Sequence, residues 1–215
     1  MTKIPKVIHY CWFGRGEKSE LMKACMESWR VYCPDWEIIE WNENNFDVNF
    51  CPYASRAYAQ KRWGFMTDAA RLKIIHEHGG VYLDTDVELL RPIDELLEHE
   101  AWFAYGTDTE INTGSGFGAV KGNSFVKKML DQYLEFPEEQ PFEVCTTVDT
   151  RVFYSDYPHY AADHDVAQNE NGIQILNNIW YYSTHHYTGT WQTGWQKLFN
   201  RCKPAVWLRR KLRRK

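Results

Sequence analysis

The sequence predicts a single α/β domain with a central, mostly parallel sheet flanked by helices. Two kinds of segment alternate along the chain. One kind has the two-residue alternation of strands, and in the other kind apolar residues recur at helical spacing. At 215 residues the chain is long enough for one well-buried domain and does not require a second. We therefore assign residues 1–200 to one domain and residues 201–215 to a basic tail.

The first part of the chain alternates strand and helix patterns. From Ser19 to Tyr32 apolar residues line one side of a helix, and Cys33-Pro34 ends it. Glycine and asparagine mark the connections that follow the strands. The predicted elements are a strand at 4–10, a loop at 11–16, a helix at 19–32, a strand at 36–41, a turn at 42–45 and a helix at 54–63.

The stretch 67–91, TDAARLKIIHEHGGVYLDTDVELLR, is predicted as a helix, a two-glycine turn and a strand. Thr67 is the predicted N-cap, and Gly79 suits the left-handed residue that commonly follows a helix. After the turn the period changes to two, so alternate side chains share one face of the strand. That face carries three polar residues: Tyr82, Asp84 and Asp86.

Asp84 and Asp86 are the candidate metal ligands. Residues two apart on a strand have Cα atoms ~7 Å apart, and like charges that close favour a cation between them. Carboxylate oxygens suit Mn²⁺ or Mg²⁺, and such an ion could hold the diphosphate of a nucleotide-activated substrate. An isolated Asp-x-Asp is weak support, because the same pair can simply solvate the end of a strand.

The rest of the chain continues the pattern with shorter elements. Residues 112–118 are rich in glycine but lack the Gly-Lys-Ser/Thr of a phosphate-binding P-loop, so we interpret them as a loop and strand. The remaining predicted elements are a short helix at 93–97, strands at 101–105, 173–176 and 179–182, and helices at 123–136 and 146–157.

The order Asp68, Arg71, Gly-Gly, Tyr82, Asp-x-Asp resembles the sugar-binding region of glycosyltransferase family 32. That family contains yeast-type α-mannosyltransferases and bacterial capsular-polysaccharide transferases, and the clostridial glucosylating toxins are similar over the same stretch. The opening Ile-Pro-Lys-x-Ile-His-x-x-Trp-x-Gly at 4–14 also resembles these enzymes. The resemblance implies a GT-A-like fold and a nucleotide-sugar transferase.

The resemblance also implies roles for individual residues in donor binding and catalysis. Asp84 and Asp86 would ligate the ion, with Asp84 binding through water or reaching the ribose, and Arg71 would act with them. Trp12 would stack on the nucleotide base. The other implied donor-binding residues are Asn44, Asp68, Tyr82 and Asn112.

A second His-containing element resembles the end of the catalytic domain in this family. His185-His186-x-x-Gly-Thr190-Trp191 matches His-His-x-x-Gly-Ser-Trp, with Thr190 keeping the hydroxyl of the usual serine. In the toxins the residue five before the tryptophan is a metal-binding carboxylate, which maps onto His186. The resemblance therefore implies His186 as the third metal ligand and Trp191 as a residue that closes over the donor diphosphate.

The resemblance implies a retaining transferase that gives an α-linked product on a hydroxyl of a growing, lipid-linked polysaccharide. A UDP-sugar is the favoured donor and GDP-mannose the alternative. A metal-dependent nucleotidyl or phosphoryl transferase would also use paired aspartates, although no P-loop supports it. A non-catalytic sugar-binding module would fit the aromatic content, and tolerance of replacement of both aspartates would favour it.

Composition limits the location and partners of the protein. Residues 201–215 carry eight basic side chains and no acid, which leaves 17 basic against 29 acidic residues in 1–200, a formal charge of −12. This acidic body argues against a nucleic-acid binder. No hydrophobic signal core and no apolar run near the ~20 residues of a membrane span is present, so we expect a cytoplasmic protein. The basic tail, with interleaved Trp and Leu, suits docking on the anionic inner face of the cell membrane.

Overall fold

The computed structural model of the protein describes residues 3–106, 110–158, 168–170, 172–176 and 179–188. Its strands are β1 (Val7–Cys11), β2 (Glu37–Trp41), β3 (Gly80–Tyr82), β4 (Val87–Leu89), β5 (Ala101–Ala104), β6 (Phe117–Ala119), β7 (Gln168–Glu170), β8 (Ile173–Leu176) and β9 (Ser183–His185). Its α-helices are α1 (Glu20–Tyr32), α2 (Pro52–Ala59), α3 (Trp63–His78), α4 (Ser124–Leu134) and α5 (Cys145–Asp156). Short 3-10 helices cover Asp94–Glu98, Thr113–Ser115 and Ile179–Tyr181.

Within these residues the main sheet has seven strands in the order β2-β1-β3-β6-β5-β8-β7. Strands β1, β2, β3, β5 and β8 run in one direction, and only β6 and β7 run against them. The prediction of a mostly parallel central sheet is therefore confirmed. A separate antiparallel pair, β4 and β9, lies outside this sheet.

Apolar side chains fill both faces of the sheet. Along β5, Ala101 and Phe103 belong to a core shared with α2, α3, α4 and α5, whereas Trp102 and Ala104 face a second core under α1. This alternation is the two-residue period of a strand that is buried on both sides. None of the helices in the described residues has both the length and the apolar character needed to span a membrane.

Helix α1 follows the sequence prediction closely. The Ser19 side chain caps it by accepting a hydrogen bond from the Met22 amide, and Cys33 ends it. Trp29 is fully buried on its inner side and donates its indole N–H to the carbonyl of Val87 at 2.8 Å. This bond fixes the helix against β4, the strand that directly follows the Asp-x-Asp segment in the sequence.

Helix α3 begins at Trp63, so the prediction of Thr67 as its N-cap is wrong. Phe65 and Met66 are buried, and their packing extends the helix one turn toward the N-terminus despite the glycine at position 64. Its other end agrees with the prediction, because Gly79 adopts a φ of 71° and its amide bonds to the carbonyl of Ile75.

The strand predicted to carry both aspartates on one face ends earlier, at Tyr82. The Val87 amide bonds to the Asp84 carbonyl at 2.9 Å, so Asp84 to Val87 form a tight turn. The chain turns here because β4 leaves the main sheet to pair with β9. The prediction that the two aspartates share one strand face is therefore wrong, although the turn still keeps them adjacent.

Three other elements differ from the prediction. Ile179–Tyr181 is a 3-10 helix instead of a strand, whereas Ser183–His185 forms a strand that was not predicted. Strand β7 was not predicted. These short segments depend on pairing with distant strands, which local sequence does not reveal.

Candidate active site

Asp86 is buried in the turn before β4 and is held by three hydrogen-bonding groups from the chain's C-terminal part. Its Oδ2 accepts hydrogen bonds from the amide and the hydroxyl of Thr188, both at 2.8 Å. Its Oδ1 lies 3.1 Å from Nε2 of His185. Burial alone would raise the pKa of Asp86, but the bonds from His185 and Thr188 hold it below its usual range. Asp86 is therefore a stable carboxylate.

Asp84 lies beside two groups that were predicted to form the donor site. Tyr82 donates its hydroxyl to Asp84 Oδ1 at 2.9 Å, and Arg71 Nη2 lies 3.6 Å from the same oxygen. Burial raises the pKa of Asp84, while the positive charge of Arg71 opposes that rise. A further positive charge near this carboxylate would favour its ionised form.

Asp68 and Arg71 form a buried ion pair and not an exposed surface pair. Arg71 is 3% exposed, and its Nη2 donates to Asp68 Oδ1 at 2.6 Å. Its guanidinium lies 5.1 Å from the centre of the Tyr82 ring. Burial raises the pKa of Asp68 to about 6 although Arg71 opposes the shift. Within the described residues, Arg71 Nη1 is buried without a hydrogen-bond partner.

One group in the described residues has the composition and geometry of a metal site. Ligand atoms of Asp84, Asp86 and His185 all lie within 4.8 Å of one another. Two carboxylates and one imidazole suit Mn²⁺, and they accept Mg²⁺ less readily because imidazole is a softer ligand. The residues present therefore fit the divalent ion that the sequence predicted.

The structure places His185, and not the predicted His186, beside the aspartates. The Nε2 of His186 lies 2.8 Å from Oε2 of Glu88, and its backbone amide donates to the Asp86 carbonyl at 2.9 Å. His185 is the last residue of β9 and pairs with Val87, whereas His186 lies beyond the end of the strand. The sequence-based choice of His186 thus differs from the structure by one residue.

Trp12 and Asn44, the predicted nucleotide contacts, line a common polar pocket of about 330 Å³. That volume is at the lower end of the range of about 300–1,000 Å³ for small-molecule sites. Trp12 donates its indole N–H to the Gly16 carbonyl at 2.7 Å, and Lys18 lies 5.0 Å from the centre of its ring. Asn44 is exposed in the turn after β2. Neither Asp84 nor Asp86 lines this pocket.

Asn112 is buried at the start of the Thr113–Ser115 turn. Its Oδ1 accepts a hydrogen bond from the Gly114 amide at 2.9 Å, so it shapes the turn. The same turn contains Ser115, whose Oγ lies 3.2 Å from Nδ1 of His185, and the Tyr187 ring stacks on His185 with centroids 4.1 Å apart. The predicted residue Asn112 therefore reaches the same region as His185.

Several residues in this region were not found from the sequence. The structure adds His185, Tyr187, Thr188, Ser115 and Asp149. Only the His pair carried a local signal, and the choice within it needed the β4–β9 register. Thr190, Trp191 and the basic tail at 201–215 lie outside the described residues, so their predicted roles stay predictions.

Comparison with known proteins agrees with this geometry. Residues 19–103 match the family model described as the glycosyltransferase sugar-binding region containing the DXD motif. Residues 19–103 therefore resemble the DXD sugar-binding region of glycosyltransferases. Asp68, Arg71, Tyr82, Asp84 and Asp86 all fall within the matched stretch.

Curated relatives of this sugar-binding region are also transferases. Inositol phosphoceramide mannosyltransferase 3 of Schizosaccharomyces pombe is 28% identical over 72% of this chain and 43% of its own length. Inositol phosphoceramide mannosyltransferase 1 of the same yeast is 26% identical over 63% of this chain and 44% of its own length. A human alpha-1,4-N-acetylglucosaminyltransferase is 34% identical over 37% of this chain and 22% of its own. The chain thus spans less than half the length of each of these relatives.

Among solved structures, the PaToxG glycosyltransferase superposes with a TM-score of 0.55 and 16% identity over 72% of this chain and 70% of that chain. At that identity the likeness concerns the fold alone, and it confirms the predicted GT-A-like architecture. The resemblance to DXD-motif glycosyltransferases is confirmed by the family model and the relatives.

Proposed function

We propose that this chain is a metal-dependent, retaining glycosyltransferase that moves a sugar from a nucleotide-sugar donor to a hydroxyl of a glycan or lipid-linked acceptor. The observation that carries the proposal is the convergence of Asp84, Asp86 and His185 within 4.8 Å, beside the buried Asp68–Arg71 pair. Paired carboxylates and one imidazole, next to a buried arginine, match what a sugar diphosphate requires.

Asp84, Asp86 and His185 would hold Mn²⁺ or Mg²⁺. When bound, that ion supplies Lewis-acid neutralisation of the charge on the departing diphosphate. His185 is kept in place by Ser115, whose Oγ lies 3.2 Å from Nδ1. Asp86 is kept ionised by Thr188, and Tyr82 holds Asp84. These supporting contacts fix the carboxylates before any substrate arrives.

The donor is positioned by groups that the fold has already ordered. Arg71 cannot leave its place without breaking its 2.6 Å bond to Asp68, so its guanidinium is a preorganised positive charge beside the proposed donor site. Trp12 offers a flat face for the base, with Asn44 at the pocket edge. Asn112, Thr190 and Trp191 complete the proposed donor site. Holding the donor in one orientation provides much of the rate enhancement.

For the donor we favour a UDP-sugar, with GDP-mannose as the alternative, and for the product an α-linkage. The relatives include two mannosyltransferases and an alpha-1,4-N-acetylglucosaminyltransferase, which supports a hexose or hexosamine with an α-bond. Inositol phosphoceramide in the names of the yeast relatives supports a lipid-borne acceptor. We extend the proposal to capsular-polysaccharide synthesis by a cytoplasmic enzyme, held on the inner membrane surface by residues 201–215.

The test is donor hydrolysis across a panel of UDP- and GDP-sugars, with Mn²⁺ and with chelator, beside direct Mn²⁺ binding by calorimetry. We expect cleavage of one donor, lost with chelator and reduced about 100-fold or more in Asp86→Asn. Asp47→Asn, which changes an exposed aspartate, is the control and should behave as the native chain. Absence of both donor cleavage and nucleoside diphosphate binding in the folded protein would refute the proposal.

A further inference from the structure

Asp149 is a fully buried carboxyl group that no motif in the sequence explains. It lies in the middle of α5 with 0% exposure. Its Oδ2 accepts two hydrogen bonds from Thr113, one from the amide at 3.2 Å and one from the hydroxyl at 2.7 Å. Burial raises the pKa of Asp149 to about 7, although the bonds from Thr113 oppose the shift. An acid in such a place costs folding free energy.

The segment that Asp149 holds, Asn112 to Ser115, touches the proposed active site at two further points. A Cβ atom on Gly114 would lie 2.8 Å from Asp84 Oδ2 and 2.9 Å from Arg71 Nη1. Both distances are shorter than a carbon atom tolerates, so the bare backbone of Gly114 is packed directly against that pair. Ser115 reaches His185 with its Oγ 3.2 Å from Nδ1.

Helix α5 attaches the same segment at a second, neighbouring point. The Ile111 amide donates to Oγ1 of Thr150 at 3.0 Å. Loss of the Asp149 carboxylate would therefore release Thr113, while Thr150 would still hold the chain at Ile111. The expected consequence is a displaced turn inside a folded domain.

We propose that Asp149 is a positioning residue of the donor-sugar site, which acts through Thr113 to hold the Asn112–Ser115 turn against Asp84, Arg71 and His185. The inference rests on the proposed function, because it gives that site an anchor on α5. Asp149 touches no reacting atom in this scheme. Its effect passes through the backbone of Gly114 and the hydroxyl of Ser115, and a displacement of about 1 Å at such contacts can cost about 100-fold in rate.

A double-mutant cycle tests whether Asp149 acts through Thr113. In metal-dependent donor hydrolysis, we expect kcat/KM to fall about 30-fold in Asp149→Ala and about fivefold in Thr113→Val. The double variant should be no worse than Asp149→Ala, since both changes break the same link. Losses that multiply in the double variant would overturn the inference.

Two further variants separate positioning from simple stability. Asp149→Asn keeps an oxygen that can accept both bonds from Thr113, so its activity should return to within about threefold of the native chain. Asp156→Ala, on the same helix but paired with Lys128 at the surface, should leave activity unchanged. Melting temperatures check folding, and if Asp149→Ala fails to fold, Thr113→Val and Asp149→Asn still decide the matter. Native donor turnover with an active Asp149→Ala would overturn only this inference, whereas a folded native chain with neither donor turnover nor nucleoside diphosphate binding would overturn the proposed function.

Discussion

Replacement of His185 and His186 by alanine, one at a time, separates the two histidines that the sequence alone could not distinguish. His185→Ala removes a ligand atom from the cluster with Asp84 and Asp86. His186→Ala removes only a contact with Glu88, whose side chain is 43% exposed. An exposed pair of this kind contributes at most about 1 kcal/mol. The two neighbouring substitutions should therefore differ sharply in their effect on metal binding.

The magnitude follows from what each change leaves behind. Even supporting partners of metal ligands change affinity by about 10- to 100-fold, so loss of His185 itself should weaken Mn²⁺ binding by about 100-fold or more, which corresponds to about 2.8 kcal/mol. It also removes the 3.1 Å contact with Asp86 and leaves the two carboxylates repelling each other. For His186→Ala we expect a change of less than about threefold.

Calorimetric titration with Mn²⁺, beside donor hydrolysis at several Mn²⁺ concentrations, measures both effects. Excess Mn²⁺ should restore part of the activity of His185→Ala, because weaker binding can be overcome by mass action. Circular dichroism confirms that each variant is folded. Normal Mn²⁺ affinity in His185→Ala together with a large loss in His186→Ala would refute our assignment and return the ligand to the residue that the sequence resemblance indicated.

Three other outcomes follow from single contacts. Tyr82→Phe loses the 2.9 Å bond to Asp84 but keeps the ring, so donor hydrolysis should fall about 10-fold with the fold intact, as kinetics and thermal melting will show. The raised pKa of Asp149, about 7, means that the free energy of unfolding should drop as pH rises from about 4 to 8. Asp149→Asn should flatten that part of the pH profile in denaturant titrations, and an unchanged slope would contradict the burial argument. Trp29→Ala should lower the free energy of unfolding by about 3–5 kcal/mol, because the ring is fully buried and bonded to Val87.

Features encoded by local sequence were predictable in this chain. The start of α1 at Ser19 and the end of α3 at Gly79 depend on residues close by in the chain, and both were identified. The Asp-x-Asp segment and the Asp68–Arg71 pair were also found, since their spacing places them together whatever the rest of the chain does. The burial of that pair was not predicted, because it depends on packing from other elements.

The parts that could not be predicted join residues far apart in the chain. Thr188 bonds to Asp86 across 102 residues, and Asp149 bonds to Thr113 across 36. The strand containing β3 was predicted too long because its alternating pattern continues past the point where the main-sheet pairing stops. Pairing partners and register decide such features, and a pattern along one strand does not contain them.

The antiparallel pair of β4 and β9 also has a consequence for the order in which the protein becomes competent during synthesis. The ribosome releases Asp84 and Asp86 well before residues 183–188, which supply the imidazole and the threonine bonds that offset their charge. Until β9 pairs with β4, the negative charges of the two carboxylates face each other, and Arg71 is the nearest positive charge that offsets them. Contacts between such distant segments form late, because a long loop must close first. A nascent chain that has already built α1 and α3 would thus hold an incomplete ion site, and competence to bind the ion would arrive only with β9.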